Sequence, residues 1–133
     1  MGNLPSNMKT VYLVRHGESE GNVDPVFQGA DSPLTDVGKR QTEYLAERCK
    51  TLPVEAFVAS SMVRAQETAR IIENKIGKTS EMSDLFVERR RPSSIIGKSR
   101  HDAEAIALED VWWKSLAGEA PRVSDGEDFE GLK

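Results

Sequence analysis

A single cysteine, Cys49, in 133 residues excludes an internal disulfide framework and suits a reducing compartment. Its plainest role is as a small buried apolar side chain. Long hydrophobic runs are also missing. The longest is Val11-Tyr12-Leu13-Val14, far short of the roughly 20 residues that cross a membrane. The N-terminus lacks the charged-then-apolar layout of a signal peptide. Met1-Gly2 with Ser6 fits the loose myristoylation pattern, which matches often by chance and is set aside. A cytoplasmic location with no membrane partner is the expectation. With only His16 and His101 beside one cysteine, no plausible metal-ligand set exists, and no cofactor is expected. Excess positive charge is absent too: 18 basic against 22 acidic residues leave a net charge of −4. A broad basic face for nucleic acid is therefore not expected.

What is present is the composition of one soluble α/β domain. Charge is uneven: Arg89, Arg90, Arg91, Lys98 and Arg100 cluster against Glu88 alone, and the stretch after Asp102 is acidic. Residues 1–8 read as a flexible leader and 9–133 as the domain. Thr10 to Arg15 has the continuous β-branched and aromatic character of a parallel strand buried on both faces. A polar loop over 21–33 follows. Thr35 then stands as N-cap of a helix with apolar positions Val37, Tyr44, Leu45 and Cys49, which Pro53 ends. Ala56 to Ala59 predicts a second strand. Ser60-Ser61 caps a helix burying Ala65, Ala69, Ile72 and Ile76, stopped by Gly77. Met82 to Val87 predicts a third, weaker strand. Asp102 caps a last helix through Trp112, Trp113 and Leu116, ending at Gly118. This alternation predicts a three-layer α/β/α domain with a mainly parallel sheet, incomplete in this chain.

Chemistry concentrates where strands end. His16 follows the first strand in Arg15-His16-Gly17-Glu18-Ser19. From position alone it is a nucleophile, a base, a ligand or a packed side chain. Arg15 offers a planar fork of donors suited to phosphate oxygens. Arg64 falls in the first turn of the helix after the second strand, a turn whose free N–H groups attract anions. Alone, a solvated surface arginine would be as good a reading. Glu88, after the third strand, is either a proton donor or a partner for Arg89 to Arg91. Gly97-Lys98-Ser99 lacks the rest of a phosphate-binding loop and is discarded, as Pro92 stands where a glycine is needed. Trp112-Trp113 reads as helix packing.

Arg15-His16-Gly17-Glu18-Ser19 with Asn22, and Ser60-Ser61-x-x-Arg64-Ala65-x-x-Thr68-Ala69, resemble the two signature blocks of the histidine phosphatase superfamily. Gln28-Gly29, Asp31 and Leu34-Thr35-x-x-Gly38 match its connecting loop and helix start, and Glu88 falls where the family keeps its proton donor. The resemblance implies a metal-independent phosphomonoester hydrolase acting on a small phosphorylated metabolite. His16 would form a phosphohistidine, Arg15 and Arg64 would hold the phosphoryl oxygens, and Asn22, Gln28 and Gly29 would line the pocket. The family's mutases continue after the donor with His-Tyr-Gly, whereas Glu88 precedes Arg89-Arg90-Arg91-Pro92-Ser93-Ser94, which favours a phosphatase over phosphoglycerate mutase-type transfer. The departure is a second histidine, which the family carries in a His-Gly context on a later strand lying centrally between the first two strands here. His101 has the wrong context for it. Gly126-Glu127-Asp128-Phe129 resembles the stretch that precedes that strand, and the chain looks like the first two-thirds of a longer protein. A non-catalytic phospho-ligand module is the reading from another class. The expectation for the fold is that another segment fills the gap, that copies exchange elements in a homo-oligomer, or that the sheet closes differently.

Overall fold

The structure is a computed structural model that describes residues 8–123, 125 and 126. The expectations for a leader before Met8 and for Glu127 to Phe129 lie outside the described residues. The elements run α1 (Glu20–Val23), α2 (Asp36–Cys49), β1 (Val58–Ser60), α3 (Val63–Ile76), β2 (Glu81–Ser83) and α4 (Ala103–Leu116), with 3-10 turns at Asp84–Phe86 and Ser93–Ile95.

Thr35 begins α2 as the sequence indicates, its hydroxyl oxygen accepting from the Gly38 N–H at 3.0 Å. The helix buries Thr42, Ala46 and Cys49, and its Ala46 and Cys49 form a core with Ile72 of α3, flanked by Leu45, Phe57, Ile71 and Ile76. Val37 and Tyr44 were expected on that face, but they are 43% and 80% exposed. Tyr44 is two residues past Thr42, roughly 200° around the helix, which turns it to water. In α3 the cap is Met62, without a side-chain hydrogen bond, instead of the serines. Its buried residues include Arg64 and Thr68 besides Ala69 and Ile72. Gly77 closes it in the left-handed region at φ 70°, as a C-terminal glycine should.

β1 and β2 pair in parallel, Val58 opposite Glu81 and Ser60 opposite Ser83, so the α/β alternation holds. The third strand is shorter than expected because Asp84–Phe86 coils into a 3-10 turn, with Ser83 Oγ accepting from Leu85 N at 3.2 Å. Asp102 caps α4 through Ala105 N at 2.9 Å. This helix packs Trp112 and Leu116 against Val123, and Ala105 against Phe27 and Ile95. Trp112 is core packing, as expected, while Trp113 stays 46% exposed. No helix among the described residues is long and apolar enough to cross a membrane.

The correction of most consequence concerns Thr10 to Arg15. Among the described residues this segment pairs with no strand, and Val11 and Leu13 are 76% and 93% exposed. A strand buried on both faces needs hydrogen-bonding neighbours and covering layers, and this one has neither. Between it and β1 lies a cavity of about 1290 Å³, walled by residues 8–16 on one side, 52–60 on the other, and Ala65, Ala69 and Ile72 of α3. The gap is thus open: no described segment fills it, and the first segment does not close onto β1.

Candidate active site

One end of this cavity is polar. Arg15, His16, Arg64 and Glu88 all line it, so four of the residues singled out in sequence share one cavity. The loop carrying His16 is held by close packing. A Cβ on Gly17 would meet Gly38 O at 2.4 Å, and one on Gly38 would meet Glu18 O at 2.0 Å. Only glycine at both positions lets the loop lie against the first turn of α2. Gly17 N donates to Thr68 Oγ1 at 3.2 Å, and Thr68 Oγ1 donates to Arg64 O at 2.8 Å. The histidine loop and the arginine helix therefore share one buried hydroxyl.

His16 is half-buried, and its Nδ1 lies 2.6 Å from the Gly17 carbonyl oxygen. A carbonyl only accepts, so this bond requires the proton on Nδ1 and leaves the Nε2 lone pair free. Nε2 is then the ring nitrogen left to face a ligand. Arg15 is exposed at the cavity rim.

Arg64 is no solvated surface arginine. It is 2% exposed. Its Nη1 donates to Gly29 O at 2.8 Å, and its Nη2 reaches Glu88 Oε2 at 2.7 Å and Met62 Sδ at 3.1 Å. A guanidinium taken out of water is costly unless an anion meets it. Glu88, whose side chain is 47% exposed, is that anion here. Arg64 is built to hold negative charge at this place.

Asn22 and Gln28 stand one layer back. Asn22 Oδ1 accepts from Ser19 N at 3.0 Å, and Ser19 Oγ contacts Gln28 Oε1 at 2.7 Å. Both brace the loop after His16 and lie off the cavity wall, while Gly29 enters through its carbonyl on Arg64. His101 is exposed and does not line this cavity. Sequence reasoning missed the braces: Ser19, fully buried; Thr68; and Glu67, whose Oε2 accepts from Leu34 N at 2.6 Å. Thr68 was legible as the residue one helical turn beyond Arg64. Of the arginine run, Arg91 is tied to α4 by its Nε, 3.1 Å from Glu109 Oε1, and Arg89 stacks 5.5 Å above the Trp113 ring.

The sequence model of the histidine phosphatase superfamily (branch 1) matches residues 11–133. The chain belongs to this superfamily. It is 37% identical over 130 residues to a protein named probable phosphoglycerate mutase GpmB from Enterobacter sp. (strain 638), covering 94% of this chain and 58% of that one. Among solved structures it resembles YhfR of Bacillus stearothermophilus, at 31% identity and TM-score 0.67, over 89% of this chain and 58% of that one. A mycobacterial glucosyl-3-phosphoglycerate phosphatase shares the fold at TM-score 0.69 and 24% identity, over 88% and 55% of the two chains. The chain thus spans less than two-thirds of the length of these relatives. These proteins include one named a probable mutase and one named a phosphatase.

Proposed function

We propose that this histidine phosphatase is a metal-independent phosphomonoester hydrolase working through a phosphohistidine on a small phosphorylated metabolite. The observation that supports the reading is that His16, Arg15, Glu88 and a buried Arg64 line one cavity, with the His16 loop and Arg64 joined through Thr68. In the first displacement His16 Nε2 attacks phosphorus, the N–P bond forms, and the P–O bond to the leaving alcohol breaks. Glu88, displaced from Arg64 and protonated by the entering phosphate monoanion or by solvent, gives that proton to the departing oxygen. Arg15 and Arg64 hold the phosphoryl oxygens and meet the charge that develops on them. In the second displacement water attacks phosphorus, Glu88 takes the water's proton, and His16 is restored with release of phosphate.

Arg64 Nη2 now holds Glu88, so a phosphoryl oxygen entering that position displaces the carboxylate. The same exchange brings the proton donor beside the leaving group. We further infer that the open slot between residues 10–15 and β1 seats one more strand, the family's carrier of the second histidine. Two unpaired extended edges facing one apolar cavity support that reading.

The test uses the full-length protein and an aryl phosphate. Phosphate release that vanishes in His16→Ala is the expected result. Tight phosphate binding without turnover would mark a binding module instead. The name of the Enterobacter relative favours a second reading, phosphoryl transfer back to substrate. Turnover of phosphoglycerate with little free phosphate released would establish it.

A further inference from the structure

We propose that Arg91 is a positioning residue, which keeps Glu88 at the phosphoryl site once Arg64 turns to the substrate. The inference rests on the reading of Glu88 as proton donor. The two oxygens of Glu88 face two different arginines. Oε2 accepts from Arg64 Nη2 at 2.7 Å, and Oε1 lies 3.6 Å from Arg91 Nη1. Arg64 has its other terminal nitrogen committed to the Gly29 carbonyl. A phosphoryl oxygen arriving at Nη2 therefore removes the shorter tether of Glu88.

Glu88 lies outside helix and strand, and its side chain is 47% exposed. Without a second anchor it would turn to solvent and leave the reacting oxygen without its proton. Arg91 is the anchor in place. Its side chain is only 14% exposed, its Nε meets Glu109 Oε1 of α4 at 3.1 Å, and its guanidinium carbon lies 5.7 Å from the Trp112 ring centre. Phe27 lies at 6.0 Å. A planar cation pinned by an acid and aromatic faces is held more rigidly than a lysine would be. With its Nε given to Glu109 and its Nη1 facing Glu88, Arg91 is placed to orient the carboxylate. Arg91 thereby couples α4 to the proton donor.

The test compares two substrates on the full-length protein: an aryl phosphate with an acidic phenol as leaving group, and a simple alkyl phosphate. An alkoxide leaves poorly without a proton, whereas an acidic phenolate needs little help. Arg91→Ala should lower kcat on the alkyl phosphate about tenfold or more, a fraction of the 10²–10⁴ that general acid catalysis supplies. On the aryl phosphate it should change kcat by less than about threefold, with KM little altered on both. Arg91→Lys, which keeps the charge without the fork, should show the same selectivity in smaller measure and serves if the alanine variant does not fold. Glu88→Gln run in parallel separates the two layers of the argument. A leaving-group-selective Glu88→Gln beside an Arg91 variant that slows both substrates alike, or neither, overturns the role of Arg91 alone. A Glu88→Gln that is not selective overturns the reading of Glu88 and this proposal with it.

Discussion

The two ends of the cavity are built in opposite ways. At the polar end, Thr68, Ser19 and Gly17 sit inside a closed set of hydrogen bonds, and the fit of Gly17 on Gly38 leaves no room for a methyl group. At the apolar end, the backbone of residues 10–14 pairs with nothing described, and Val11 and Leu13 line the cavity while 76% and 93% exposed. The polar end is stabilised locally, by helices α2 and α3 and the loops they hold. The apolar end has the composition of a core without its neighbours, and each such side chain gains about 1.5–3 kcal/mol only when buried. The loops around His16 and Arg64 are thus held locally, while the sheet beside them is left without a neighbour among the described residues.

Arg64→Ala should break the polar end most severely. It strands Glu88 and, on the proposed mechanism, removes a phosphoryl ligand, so kcat/KM of the protein should fall by about 10²–10³ or more. Steady-state kinetics beside a denaturation curve show whether the loss exceeds the loss of stability.

Gly38→Ala comes next. Its methyl group would overlap Glu18 O at 2.0 Å, with no flexible side chain to give way. A destabilisation of about 1–3 kcal/mol is expected, read as a lower denaturation midpoint, together with reduced activity because the His16 loop must shift.

The same contrast shows what was readable in the sequence and what was not. Thr35, Gly77 and Asp102 announced their helix ends because capping is local chemistry, settled within four residues. Arg15, His16, Arg64 and Glu88 drew notice because ligands gather at strand ends in an alternating chain, and the structure lines one cavity with all four, although the segment before His16 pairs with no described strand. The segment 10–15 carries every local mark of an inner strand, yet pairing is a property of two segments, and the sequence of one cannot supply the other. Val37 and Tyr44 misled for a related reason. Apolar character marked them, while the buried stripe of α2 follows Gly38, Thr42, Ala46 and Cys49. The braces Ser19 and Thr68 escaped because polar residues advertise no role until their partners are seen.

A sharper probe of the open end is Leu13→Asp. If the slot is filled and covered in the folded protein, it should cost several times the ~0.5 kcal/mol of an ordinary surface substitution. A change no larger than that would contradict the slot reading.

The smallest effect is electrostatic. The Ser80 hydroxyl and N–H, the latter at 2.6 Å, hold the Glu73 carboxyl below its usual range. A carboxyl depressed in the folded state adds stability above its unfolded pKa and loses it as pH falls through the folded value. Glu73→Gln should therefore be slightly less stable than the parent at neutral pH, with the difference vanishing in acid. Chemical denaturation at the two pH values measures it, and a difference that persists in acid would assign Glu73 a role other than its charge.

The central claim is that His16 carries the phosphoryl group. The direct measurement is to quench the full-length protein during turnover of an aryl phosphate and map the modified peptide by mass spectrometry under alkaline conditions. An acid-labile phosphoryl group on His16, absent in His16→Ala and accumulating in Glu88→Gln when water attack is slowed, is the predicted result. Steady hydrolysis with His16 unmodified at every quench time, and undiminished in His16→Ala, would contradict it.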